Sequence, residues 1–179
     1  MIPPPSLEGD GVRVVFTRRG DRYAHSVFRV STSEEGTPSG LLLDSIEGTP
    51  DDAWPASPAL KELHFEDRAD GRRLALLVGM AGKSHWSLSV ELDVARGDLV
   101  FDVACRLRGM PARLGSRYRL SAGTDQIPVA IEPIPIAIMP IDGEVARLVT
   151  SVDGQLHIEP PAVAGPWPRT VRWRYVVRA

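Results

Sequence analysis

Hydrophobic residues along this chain recur at every second position in short runs, and each run ends in a polar stretch rich in glycine or proline. Trp86, Leu88, Val90 and Leu92 alternate with Ser87, Ser89 and Glu91, the period of two that turns one face of a strand toward a core. Asp-Gly dipeptides at Asp10-Gly11, Asp70-Gly71, Asp142-Gly143 and Asp153-Gly154 each stand just before such a run, and Asp-Gly suits turns that need positive φ. Between these signals the pattern predicts strands over 11–17, 23–31, 40–46, 60–66, 72–79, 84–92, 98–107, 113–120, 127–139, 145–152 and 155–159, with a twelfth over 169–178. No amphipathic helix intervenes, so the expected fold is all-β, an antiparallel two-sheet β-sandwich of about 11–12 strands with little helix. A single helical turn is predicted at Ser57–Leu63, with Ser57 as N-cap and Pro58 at the first position. Residues 1–179 read as one domain, 1–8 as a loose N-terminal arm and 47–58 as a long loop.

The run Ile127-Pro-Val-Ala-Ile-Glu-Pro-Ile-Pro-Ile-Ala-Ile-Met-Pro-Ile141 is almost wholly apolar and carries four prolines. Proline cannot donate to a sheet ladder, so the segment is expected as an edge strand or as extended chain laid over the core. If its isoleucines are not buried within the monomer, Ile127–Ile141 becomes a homo-oligomer surface.

The segment Gly79-Met-Ala-Gly-Lys-Ser84 follows a strand-like run and ends as the phosphate-loop signature G-x-x-x-x-G-K-[ST] does. The signature wants a glycine at position 77, which is leucine, and a phosphate loop must open a helix. Because residues 86–92 alternate with period two, the segment is predicted to be a hairpin turn with Lys83 in solvent. Leu99-Val-Phe-Asp102 imitates a magnesium-binding strand, but too few residues separate it from Ser84 for a parallel crossover. Arg19-Gly-Asp21 and Arg96-Gly-Asp98 lie where hairpin turns are required, and glycine is expected there for its backbone freedom.

Composition narrows the functional classes further. The chain has 179 residues, enough to bury a core without metal or disulfide. Cys105 is the only cysteine, which leaves no internal disulfide and no cysteine-based zinc site. A net charge of −2 from 21 basic and 23 acidic residues speaks against a nucleic-acid partner. No long uncharged apolar run suggests a membrane span and the first residues lack a signal-peptide pattern, so the expected location is the cytoplasm. No metal or cofactor is expected.

Strands 60–66, 72–79, 84–92 and 98–107 are expected to form a meander. Matching apolar faces places Leu63, Phe65, Leu74, Leu76, Val78, Trp86, Leu88, Val90, Leu99, Phe101, Val103 and Cys105 inward. The opposite face then carries Glu62, His64, Ala75, Leu77, His85, Ser87, Ser89, Glu91, Asp102, Ala104 and Arg106, a shallow strip bordered by charges. It could cradle a sugar or peptide, or accept a covering loop such as 47–58. His64 and Asp102 would lie three strand spacings apart, roughly 14 Å, too far for a base and its orienter, while His85 would face Arg106 rather than an acid. Trp86 and Trp173 fall on apolar faces and are expected in the core. Trp54 and Trp167, in proline-rich loops, either stack on a sugar, with Asp51 or Asp52 accepting its hydroxyl hydrogens, or fold over a sheet end as lids.

The stretch from Leu60 to about Tyr118, above all Gly79-Met-Ala-Gly-Lys-Ser-His-Trp-Ser-Leu-Ser-Val-Glu91 and Phe101-Asp-Val-Ala-Cys-Arg106, resembles a family of uncharacterised bacterial proteins; the resemblance implies no activity, cofactor or site residue. Three functions follow as expectations. The first is a non-catalytic β-sandwich module binding a carbohydrate or other small ligand, using Trp54, Trp167, Asp51, Asp52, His64, His85, Asp102 and Arg106. The second is an enzyme acting on a sugar or ester through a pair among His64, His85, Glu62 and Asp102. The third is an oligomeric interaction protein built on 127–141.

Overall fold

The computed structural model describes residues 3–9, 11–30, 38–70, 72–93, 96–121, 130–134, 147–150, 154–160, 162 and 164–178. None of these residues is helical, and two antiparallel sheets pack against each other as an all-β sandwich. The strands are β1 (Ser6–Glu8), β2 (Val12–Arg19), β3 (Arg22–Val30), β4 (Pro38–Ser45), β5 (Glu62–Asp67), β6 (Arg73–Ala81), β7 (Ser84–Asp93), β8 (Asp98–Leu107), β9 (Ser116–Leu120), β10 (Ala130–Ile134), β11 (Arg147–Thr150), β12 (Gln155–Glu159) and β13 (Arg169–Arg178). One sheet has the order β1-β2-β3-β4-β9-β12-β11, and the other β10-β13-β8-β7-β6-β5. The second is the meander β5 to β8 extended by β13 and β10.

Turn chemistry sets the hairpins. Gly20 (φ 62) turns β2 into β3, Gly82 (φ 54) turns β6 into β7, and Gly97 (φ 68) precedes β8. Both Arg-Gly-Asp tripeptides are therefore turns, with glycine in the left-handed region that other residues avoid. Asp21 does not project freely: Arg22 and Lys61 bind its carboxylate at 2.9 and 3.1 Å, and the hydrogen bond from Arg22 holds its pKa down to about 2.

The core lies between the sheets. Trp86, Trp173, Tyr118, Tyr175, Phe16 and Phe101 are among its largest fully buried side chains. Trp86 and Trp173 meet edge to face at 6.2 Å and Phe101 stacks on Tyr175 at 4.9 Å, geometries that add to the burial of large apolar rings. Arg172 and Arg174 point outward while Trp173 and Tyr175 point inward, as the alternation implies. Cys105 is buried and free, and burial pushes its thiol up to about 12.

Three expectations are corrected. Residues 6–8 are not a loose arm: Ser6, Leu7 and Glu8 pair with Val15, Val14 and Arg13 of β2, anchored by Leu7, which is 1% exposed. Ser57–Leu63 forms no helical turn. The hydroxyl that would cap it donates to the Arg117 carbonyl at 2.9 Å and accepts from the Arg117 N–H at 3.0 Å, continuing the edge of β9 where β4 has left it. Strand β6 presents the opposite face to the one expected: Ala75 and Leu77 pair with Val90 and Leu88 and are buried, whereas Val78 and Met80 are exposed. The run Leu74-Ala-Leu-Leu-Val78 is apolar at every position, so alternation could not choose its face, and a one-residue slip exchanges all its side chains between core and solvent.

Of 127–141, residues 130–134 form β10, an edge strand on β13, which suits its prolines. The rest of that segment, and with it the oligomer surface expected there, lies outside the described residues.

Candidate functional site

The outer face of the six-stranded sheet is built by the register of its strands. One cross-strand row runs Met80, His85, Arg106, Thr170; the next runs Glu62, Val78, Ser87, Ala104, Arg172; the third runs His64, Leu76, Ser89, Asp102, Arg174. Along β6 this makes a ridge of Leu76, Val78 and Met80, with Val78 48% and Met80 46% exposed. Beside it, Ser87, Ser89 and Ala104 are too small to fill the space over β7 and β8. A shallow groove of about 670 Å³ therefore runs between Val78 and Met80 on one side and Arg106 and Thr170 on the other. It continues along the strands past Leu76, Ser89, Asp102 and Arg172.

The loop 47–58 does not cover this face. It is tied to the other sheet through Ser57 and Arg117, and Arg22 donates to the Thr49 carbonyl at 2.8 Å. The segment after it crosses between the sheets, where the Tyr23 N–H donates to the Leu60 carbonyl at 2.7 Å and the Lys61 N–H donates to the Val78 carbonyl at 2.8 Å. Gly79 lies beneath this crossing, and a Cβ there would collide with the Ala59 carbonyl. Close backbone approach thus accounts for the first glycine of Gly79-Met-Ala-Gly-Lys-Ser84, and the turn at Gly82 accounts for the second. Ser84 pairs with Ala81, and residues 84–93 are strand; no helix opens where a nucleotide phosphate would need one.

The site residues inferred from sequence separate into groups. His85 and Arg106 are a direct cross-strand pair at one end of the groove. Asp102 lies further along and is occupied by Arg172, with Nε at 2.6 Å, and by Arg174 at 3.4 Å. His64 shares a row with Asp102 but is separated from it by Leu76 and Ser89. Among the described residues no hydrogen bond or ion pair joins any two of His64, His85, Glu62 and Asp102, so the pair an enzyme reading requires is not assembled. Trp54 and Trp167 are half-buried and pack against the core. One side of Trp54 lines a separate pocket of about 430 Å³ with Ala53, Gly82, Lys83, Arg108 and Gly109. Asp52 accepts the Thr49 N–H at 2.8 Å, which closes a local turn and lowers its pKa; Asp51 is exposed.

A buried polar chain went unseen in the sequence. His25 Nε2 and the Tyr118 hydroxyl share a hydrogen bond of 2.7 Å, and the Tyr118 hydroxyl bonds in turn to that of Tyr175 in the opposite sheet. Trp173 Nε1 makes a second crossing to the Ser116 hydroxyl at 3.2 Å. Behind His25, the Ser45 hydroxyl accepts the His25 N–H at 2.9 Å and donates to Glu47 at 2.6 Å. Burial lowers the pKa of His25 to about 4, against the pull of Asp44, and raises Glu47 to about 7, against its hydrogen bond from Ser45. Burial also raises both tyrosines. His25, Tyr118 and Tyr175 are sealed from solvent, so no substrate reaches them; their work is to fix one sheet's position on the other.

No helix among the described residues is long and apolar enough to cross a membrane. No protein-family model, curated protein or solved structure matches this chain.

Proposed function

We propose that this chain is a non-catalytic binding module whose working surface is the outer face of the six-stranded sheet, and that what it binds there is another polypeptide surface. The carrying observation is the uncovered apolar ridge Leu76, Val78, Met80 lying beside a groove floored by Ser87, Ser89 and Ala104. Apolar ridges rimmed by polar residues are characteristic of interaction sites. The floor carries no exposed aromatic ring on which a sugar could stack, because Trp86 faces the core. A photo-crosslinking residue at Val78, with a control at Arg119 of the other sheet, tests the proposal in the cell that makes the protein. A protein adduct from position 78 and none from 119 is expected; adducts from neither, or equally from both, contradict it.

The pocket beside Trp54 favours a second reading, in which Trp54 with Lys83 and Arg108 holds an acidic carbohydrate. Asp52 is engaged in its own turn and Trp167 belongs to a different loop, so neither joins that pocket. Calorimetric titration with uronic-acid oligosaccharides should give weak binding that Trp54→Ala abolishes; no heat from the wild type ends this reading.

A further inference from the structure

Resting on the reading of the Trp54 pocket as an acidic-carbohydrate site, we infer that its ligand is a linear polyuronate chain that continues into a second pocket, where Arg113 and Arg117 hold further carboxylates. The second pocket, of about 250 Å³, lies against β9 and β12. The two share their walls. Ala53 and Trp54 border the first and Ala56 the second, while Arg108 and Gly109 border the first and Ala112 to Arg117 the second. Gly109 and Ala112 are three residues apart in the chain, so at that wall the pockets lie at most roughly 11 Å from each other. Met110, between them in sequence, lines neither.

Charge along this track has one sign. Lys83 and Arg108 line the first pocket and Arg113 and Arg117 the second, and none of the four forms an ion pair among the described residues. Among the described lining residues the first pocket has no acid, and the second has one, Glu159, against two guanidiniums. Asp52 feels the charge of Arg113 but turns its carboxylate to the Thr49 N–H. A guanidinium can grip a carboxylate through two parallel N–H bonds, and cations set in neighbouring pockets suit a chain that repeats its carboxylate. His157, the cross-strand neighbour of Arg117, adds a buried ring nitrogen, Nε2, with no hydrogen-bond partner among the described residues. A sugar hydroxyl satisfies that nitrogen in either tautomer, since it can donate or accept. The second pocket has no tryptophan, tyrosine or phenylalanine on its wall, so successive nucleobases would lack a ring to stack on, which favours a sugar chain over a single-stranded nucleic acid.

The test is calorimetric titration of the full chain with oligogalacturonates graded in length from the disaccharide upward, using wild type, Trp54→Ala and the double variant Arg113→Ala/Arg117→Ala. Wild-type affinity should rise at least about tenfold once the oligomer is long enough to enter both pockets, because the second contact is then intramolecular. The double variant should bind the disaccharide as wild type does, which establishes that it folds, and should lose the rise. Should it fail to fold, Arg113→Ala alone, which trims an exposed side chain, should still lose part of the rise. A wild-type affinity that does not change with length overturns the inference, as does a rise that survives removal of the arginines. Disaccharide binding that Trp54→Ala abolishes then leaves the Trp54 reading standing, whereas no heat at any length ends both. Tighter binding of a single-stranded oligonucleotide of equal charge also overturns the inference, in favour of nucleic acid.

Discussion

Gly79 and Ala59 touch backbone to backbone, so closely that no side chain fits between them. The chain leaves one sheet, crosses over Gly79 and enters β5, and this crossing fixes where the edge of the six-stranded sheet begins. Gly79→Ala must push the 59–61 crossing away from β6 and should destabilise the protein by about 2 kcal/mol or more, the scale of overpacking against a part that cannot yield. Lys83→Ala, on the exposed turn three residues beyond Met80, should leave stability within about 0.5 kcal/mol. Urea unfolding of the two variants measures both; equal midpoints for Gly79→Ala and wild type would mean the crossing is looser than described.

Tyr118 has two partners, His25 in its own sheet and Tyr175 in the other. Tyr118→Phe leaves both without their bond in a sealed interior and should cost about 2–3 kcal/mol, whereas Tyr175→Phe should cost about 1–2. Because both remove the same cross-sheet bond, the double variant should lose less than the sum of the two. Strict additivity in the double-mutant cycle would show that the hydroxyls do not work as one chain.

His25 and Glu47 titrate in opposition. Below pH 6.5 the unfolded chain protonates His25, while the folded chain refuses that proton until about pH 4, so this contribution to stability falls as pH falls through the window. The folded chain keeps Glu47 protonated up to about pH 7, while the unfolded carboxyl ionises above 4.5, so its contribution is full below 4.5 and is lost as pH rises toward 7. Between pH 4.5 and 6.5 the two slopes nearly cancel. Glu47→Gln should expose the His25 slope, losing about 3 kcal/mol between pH 6.5 and 4.5 relative to the wild-type profile. Urea midpoints at three pH values decide it; a profile for Glu47→Gln parallel to wild type contradicts the opposed pair.

Strand positions and turns were legible in the sequence because period-two runs and glycine turns are local signals. Expected bounds for β2, β3, β7, β8, β12 and β13 fall within about two residues of those observed, and the hairpin at Gly82-Lys83 follows from the alternation after it. What needs the third dimension was not legible. The face of β6 is set by its neighbours, since Leu74–Val78 offers no polar position to mark the outside. Strand β1 has a single buried apolar residue, Leu7, too little to signal a strand. His25, Tyr118 and Tyr175 stand 93 and 57 residues apart along the chain and meet only when two sheets stack. For the site, the serine and alanine floor with His85 and Arg106 at its end is legible in advance, but matching apolar faces sends Leu76 and Val78 to the core, so the exposed ridge beside that floor is not.

Met80 and Met110 provide the most direct measurement on the working face. Met80 sits on the ridge at 46% exposure, while Met110 lies in the loop after β8 at 69% exposure, beyond the groove-lining residues. Peroxide footprinting followed by mass spectrometry reports the two thioethers in one sample. If another polypeptide covers the face, Met80 oxidation relative to Met110 should be severalfold lower in the lysate of the cell that makes the protein than in the purified chain; an equal ratio in the two samples contradicts it.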